Sequence, residues 1–120
     1  MAIPEHDFDF EFTTELDIDV SKLREKALNR LLKLKKGHND IIGASIDLYR
    51  EEHEHTPHVY EARIVVYMKP NNIAVIERGP EPDDAINKAL KVVERRVRNY
   101  REKLYAQYKR KARRMPGSRR

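Results

Sequence analysis

The stretch EEHEHTPH, residues 51 to 58, gathers three of the chain's five histidines and three glutamates into eight positions. Imidazole and carboxylate groups ligate zinc and related cations, which makes His53, His55 and His58 the metal candidate of the chain. A zinc site needs donors that converge tetrahedrally, and closeness in sequence does not provide that. The stretch lies between two strand-like segments, where a solvated hairpin loop is the better reading. No metal and no other cofactor is therefore assigned. The three histidines would still gain charge as pH falls through their ordinary range.

Other signatures of catalysis are missing from the sequence. It contains no HExxH, no phosphate-binding P-loop, no GxGxxG and no GxSxG elbow, and its serines are only Ser21, Ser45 and Ser118. Asp83 and Asp84 precede an apolar helical pattern, where carboxylates favour the positive end of the helix dipole. Capping explains them better than acid/base work. The chain is read as a non-enzyme with no catalytic residue and no small-molecule substrate.

Cationic side chains remain as the candidates for function. Residues 95 to 120 carry twelve Lys/Arg and one acid, whereas residues 1 to 94 carry thirteen Lys/Arg and nineteen acids. A polyanion is drawn to the C-terminal side of such a molecule. A second basic run covers Lys22, Arg24, Lys26, Arg30, Lys33, Lys35 and Lys36, opposed by Glu25 alone. A solvated helix face usually mixes signs. One-signed arrays repel themselves until phosphates neutralise them and release counterions, so nucleic acid is the expected partner.

The elements that must carry these cations follow from periodicity. DFDFEFT alternates acids with Phe8, Phe10 and Phe12, the pattern of a strand with one buried face. From Val20 the apolar residues Leu23, Ala27, Leu31 and Leu34 recur at helical spacing, with Asp19 or Ser21 as N-cap and Gly37 as stop. IIGASIDLYR and HVYEARIVVYM alternate again, and IAVIER follows the turn sequence KPNN. The last and longest stripe joins Ile86, Ala89, Leu90, Val93, Val97, Tyr100 and Leu104 from about Pro82 to Tyr105. Tyr100 is read as core. Beyond Tyr108 the apolar period ends, and a flexible basic tail is expected.

The order β-α-β-β-β-α predicts an α/β two-layer sandwich, a four-stranded mixed sheet with both helices packed on one face. At 120 residues the chain has room for one modest core. The expected organisation is an N-terminal segment at 1–7, a domain at 8–104 and the tail at 105–120. The chain has no cysteine, no apolar run long enough to span a bilayer and no leader-like start, so a cytoplasmic protein without membrane contact is expected.

The element order, the run KLREKALNRLLKL (22–34), the strand HVYEARIVV (58–66) and the run DDAINKALKVVERRVRNYREKL (83–104) resemble the ribosome hibernation-promoting factor and protein Y family. The resemblance implies a factor that binds small-subunit rRNA in the mRNA/tRNA channel, blocks translation and protects idle ribosomes under stress. Its basic positions fall on Arg30, Lys33, Arg95, Arg101 and Lys103, while Arg96 and Asn99 depart from its glutamine and lysine. With the basic faces read above, the expected rRNA contacts are Lys22, Lys26, Arg30, Lys33, Lys88, Lys91, Arg95, Arg98, Arg101 and Lys103, extended by Lys109 and Arg110 in the tail. The chain resembles a short form, monomeric away from the ribosome. A general double-stranded RNA-binding module is the alternative, because the same layered sheet can serve that purpose.

Overall fold

The computed structural model describes residues 8–53 and 56–114, with side-chain environments for 8–51 and 59–112. Six elements follow in order: β1 (Asp9–Thr14), α1 (Ser21–Lys35), β2 (Ile41–His53), β3 (Thr56–Met68), β4 (Ile73–Gly79) and α2 (Pro82–Arg114). The strands form one sheet in the order β1-β2-β3-β4. β1 runs parallel to β2, and the other two pairings are antiparallel. A parallel pair needs a crossover, and α1 supplies it.

Alternation decides which face is covered. Ala44, Ile46 and Leu48 of β2, Ala62, Ile64, Val66 and Met68 of β3, and Val75 of β4 are buried with Leu23, Ala27, Leu31 and Leu34 of α1 and Ala85, Ile86, Ala89, Leu90, Val93 and Val97 of α2. Both helices therefore lie on one face of a mixed four-stranded sheet, the predicted α/β sandwich. The period-two face of each strand meets the period-3.6 stripe of each helix, so the apolar area leaves water on both sides of the interface. Tyr100 packs partly buried against this core. The opposite face of the sheet is open and carries polar pairings, including Glu61, which is buried beneath Tyr49 and Arg78. Glu61 holds the Arg78 guanidinium above its ordinary pKa by accepting its hydrogen bond, with Glu51 adding to the effect.

The N-cap of α1 is Val20, without a side-chain capping bond, and not Asp19 or Ser21 as expected; a hydrogen-bonded turn precedes the helix and a glycine follows it. The Asp19 carboxylate accepts hydrogen bonds from the Ser21 N–H at 3.0 Å and from Ser21 Oγ at 2.6 Å. These bonds hold Asp19 below the usual carboxylate range. At the other end Gly37 adopts φ 79°, the left-handed conformation that reverses the chain after a helix. Gly43 serves a different purpose, because a Cβ placed there would lie 2.4 Å from the Asp9 carbonyl oxygen of β1. Gly43→Ala is expected to push the parallel pair apart and destabilise the protein by about 1–3 kcal/mol, the usual range for overpacking. A thermal midpoint within a degree of the parent would remove this close approach as a constraint.

Two expectations are corrected. A loop is expected over the polar stretch 51 to 57, but β2 continues to His53 and β3 starts at Thr56, with Glu51 paired to Val59 and His53 to Thr56. Backbone ladders do not require apolar side chains, so the hairpin outlasts the alternation that announced it. His55 and the side chains of His53 and His58 lie outside the described residues. The second correction concerns the tail expected from residue 105, because α2 runs on as helix to Arg114. An established helix is extended cheaply by Ala, Gln, Lys and Arg, and basic residues suit its C-terminal end.

Candidate nucleic-acid interface

The cationic side chains are positioned by the way the helices lie. Arg30 of α1 meets Glu94 of α2, and the Leu34 carbonyl of α1 meets Arg101 of α2, so the helices run side by side in one direction. Lys22, Lys26, Arg30 and Lys33 follow at four- and three-residue spacing along the flank of α1 that faces α2. Arg24 lies on the other flank, with its guanidinium carbon 5.3 Å from the centroid of the Phe10 ring. On α2, Lys91, Arg95 and Arg98 are exposed along the ridge away from the buried stripe.

Between the helices lies an open groove of about 800 Å³, lined by Arg30, Lys33, Leu34, Lys36, His38, Glu94, Arg98, Arg101 and Glu102. Six of these nine are Lys, Arg or His. Two are engaged internally. Arg30 donates to Glu94 through Nε at 3.0 Å and Nη2 at 2.6 Å, a planar fork that joins the helices. Arg101 donates to Asp40 through Nε at 2.7 Å and Nη2 at 2.9 Å, and Nη2 also reaches the Leu34 carbonyl at 3.0 Å. That carbonyl belongs to the last turn of α1, which lacks a helical N–H of its own. Arg101 thus ties the end of α1 and the entrance of β2 to α2, and its bond holds the Asp40 carboxyl below the usual range.

Lys33, Lys91, Arg95 and Arg98 form no ion pair among the described residues, and all four are exposed. A cation held at a groove rim and unneutralised by a carboxylate can take a phosphate oxygen directly. The expected contacts therefore separate by position. Lys33, Arg98 and the two paired arginines line the groove, while Lys22, Lys26, Lys91 and Arg95 flank it. Lys88 lies toward the start of α2 and donates to the Arg78 carbonyl at 3.1 Å. Lys103 lines a separate hollow on the β4 side of α2. Lys109 and Arg110 stand on the far part of α2, with Lys109 Nζ 5.4 Å from the Tyr105 ring centroid. Lys36 and His38 join the groove although neither was among the expected contacts. Lys36 continues the basic spacing of α1, whereas His38 arrives only because Gly37 turns the chain.

A family model described as sigma 54 modulation protein / S30EA ribosomal protein matches residues 14–105. The chain belongs to this family. The family is one of ribosome-associated factors and is not a known enzyme class. Among solved structures, the N-terminal domain of Thermus thermophilus Protein Y is similar at TM-score 0.59 and 16% identity, covering 77% of this chain and 94% of that one. A ribosomal subunit interface protein from Coxiella burnetii is similar at TM-score 0.61 and 13% identity, covering 79% of this chain and 97% of that one. At such identities the likeness speaks for the S30EA fold alone. No curated protein sequence matches the chain. Among the described residues no helix is long and apolar enough to cross a membrane.

Proposed function

We propose that the protein is a hibernation factor that seats its two-helix face on small-subunit rRNA in the mRNA/tRNA channel, blocks translation and protects the idle ribosome. The observation that supports this most is the cationic groove between α1 and α2, found in a chain of the S30EA family. Lys33, Lys91, Arg95 and Arg98 contact phosphates, and the Arg30–Glu94 and Arg101–Asp40 pairs keep the helices at the spacing those contacts need. The domain at 8–104 acts as a wedge, working in the cytoplasm as a monomer without cofactor or membrane.

Gradient co-sedimentation with vacant small subunits tests the reading. The protein is expected to travel with the subunits at low salt and to be displaced by mRNA and tRNA together. A protein that stays at the top of the gradient ends the proposal. Preference for plain RNA duplex over subunits would identify a general double-stranded RNA-binding module instead.

The helical extension from Tyr105 to Arg114 adds a second contact to the same partner. It projects cations from a helix of 33 residues, about 50 Å long at 1.5 Å per residue. Ending the chain after Leu104 removes seven Lys/Arg. The shortened protein is expected to keep its fold and bind subunits about tenfold more weakly, with a shallower salt dependence. Equal binding by the shortened and full chains in a salt series would remove the extension from the interface.

A further inference from the structure

A second recess lies on the opposite side of α2, between that helix and the edge of β4, with a volume of about 300 Å³. Ile73 and Tyr100, both partly buried, form its apolar floor, while Asn71, Arg96, Asn99 and Lys103 stand exposed at its rim. Its parts are held in place. Asn72 Oδ1 accepts the Met68 N–H at 3.1 Å, fixing the turn, and Asn71 Nδ2 donates to the Tyr100 hydroxyl at 3.2 Å. Arg96 Nη1 donates to the Ala74 carbonyl at 3.1 Å, which pins the guanidinium across the edge of β4. No carboxylate lines the recess, in contrast to the interhelical groove with its Glu94 and Glu102.

This chemistry differs from that of a phosphate track. Carboxamides carry a donor and an acceptor side by side, which complements the hydrogen-bonding edge of a nucleobase, and the partly buried Tyr100 beside Ile73 supplies apolar surface for the base. Arg96 and Lys103 supply positive charge at the rim, where a sugar-linked phosphate would lie. The volume is at the lower end of ligand pockets, enough for one base and too small for a stacked pair. A paired base has its edge occupied, so only an unpaired one can enter. We infer that this recess binds a single unpaired nucleotide, with the base over Ile73 and Tyr100 and against Asn71 and Asn99, and the phosphate on Arg96 and Lys103. The inference rests on the RNA-binding reading and adds a base-contacting site to it.

The test uses the full chain, labelled with ¹⁵N and titrated with each nucleoside 5′-monophosphate, with inorganic phosphate, and with one RNA sequence as single strand and as duplex. Saturable shifts of the Asn71 and Asn99 side-chain amides are expected with mononucleotides and with the single strand. The double variant N71A/N99A, whose parent residues are exposed, is expected to weaken this binding about tenfold without unfolding. Tighter binding of the single strand than of the mononucleotide assigns the site to RNA, and binding of the mononucleotide alone assigns it to a free nucleotide; both support the pocket. Equal shifts with inorganic phosphate, or shifts confined to Lys33 and Arg98, overturn it. The two readings fail separately. Subunits that bind parent and double variant equally, with silent Asn amides, sink the recess alone, while nucleotide binding without subunit co-sedimentation sinks the ribosome reading and leaves the recess standing.

Discussion

Exchanging Lys33, Arg95 and Arg98 together for glutamate is expected to lower affinity for small subunits on the order of 100-fold near physiological salt. The three side chains are exposed, and none is ion-paired among the described residues. Their loss therefore acts on the partner rather than on the core. Each phosphate contact contributes roughly 0.7 to 0.9 to the slope of log affinity against log salt, so the slope should become shallower by about two to three. Arg24→Glu provides the control for net charge, because Arg24 lies over Phe10 on the flank away from the groove. It is expected to weaken binding several-fold less than Arg98→Glu. Equal losses from these two single exchanges would show that overall charge, and not the groove, governs association. An unchanged slope in the triple variant would show that phosphates are not contacted there.

Arg101 belongs to a different experiment, although its charge alone would place it beside Arg95. Its guanidinium is engaged by Asp40 and by the Leu34 carbonyl, and its side chain is only 17% exposed. Arg101→Ala leaves a carboxylate and a helix-terminal carbonyl without their donor, and the expected loss is about 2–3 kcal/mol of stability. In a domain of this size that corresponds to a fall of roughly 10 °C in thermal midpoint. Arg101→Lys should recover only part of it, because an ammonium cannot reproduce the fork. The pair also predicts a pH dependence. Asp40 is held below its ordinary pKa by the Arg101 hydrogen bond, so its contribution is fully present above the unfolded carboxylate value of about 4 and disappears as pH falls through the folded value. The stability gap between the parent and Asp40→Asn should therefore narrow below about pH 4. A gap that stays constant down to pH 2 would mean that the pair contributes nothing through ionisation. Weaker subunit binding by Arg101→Ala is informative only after correction for the folded fraction.

The groove was legible in part. The spacing of Lys22, Lys26, Arg30 and Lys33 announces a cationic flank, because residues three and four apart share a helix face whatever that helix packs against. Local spacing cannot show what lies across the groove. Glu94 and Asp40 sit 64 and 61 positions from the arginines they bind, so Arg30 and Arg101 look like Lys33 and Arg98 until the fold brings those carboxylates to them. The recess is a stronger case. Asn71 and Asn99 belong to a turn and a helix that meet only because β4 packs beneath α2, and Asn residues apart in sequence carry no signal.

Helix and strand lengths divide in the same way. Apolar periodicity located every element, and it misplaced ends where the backbone continued without it, at His53, Thr56 and Arg114. By itself the sequence determined the element order, the buried face of each element and the concentration of positive charge on the helices, since these depend on side-chain period and composition. The tertiary structure alone decided which cations are neutralised, which remain for a phosphate, and where amides and an apolar floor converge. Those outcomes depend on distances between residues far apart in the chain, which are set only when both helices settle on the same face of the sheet.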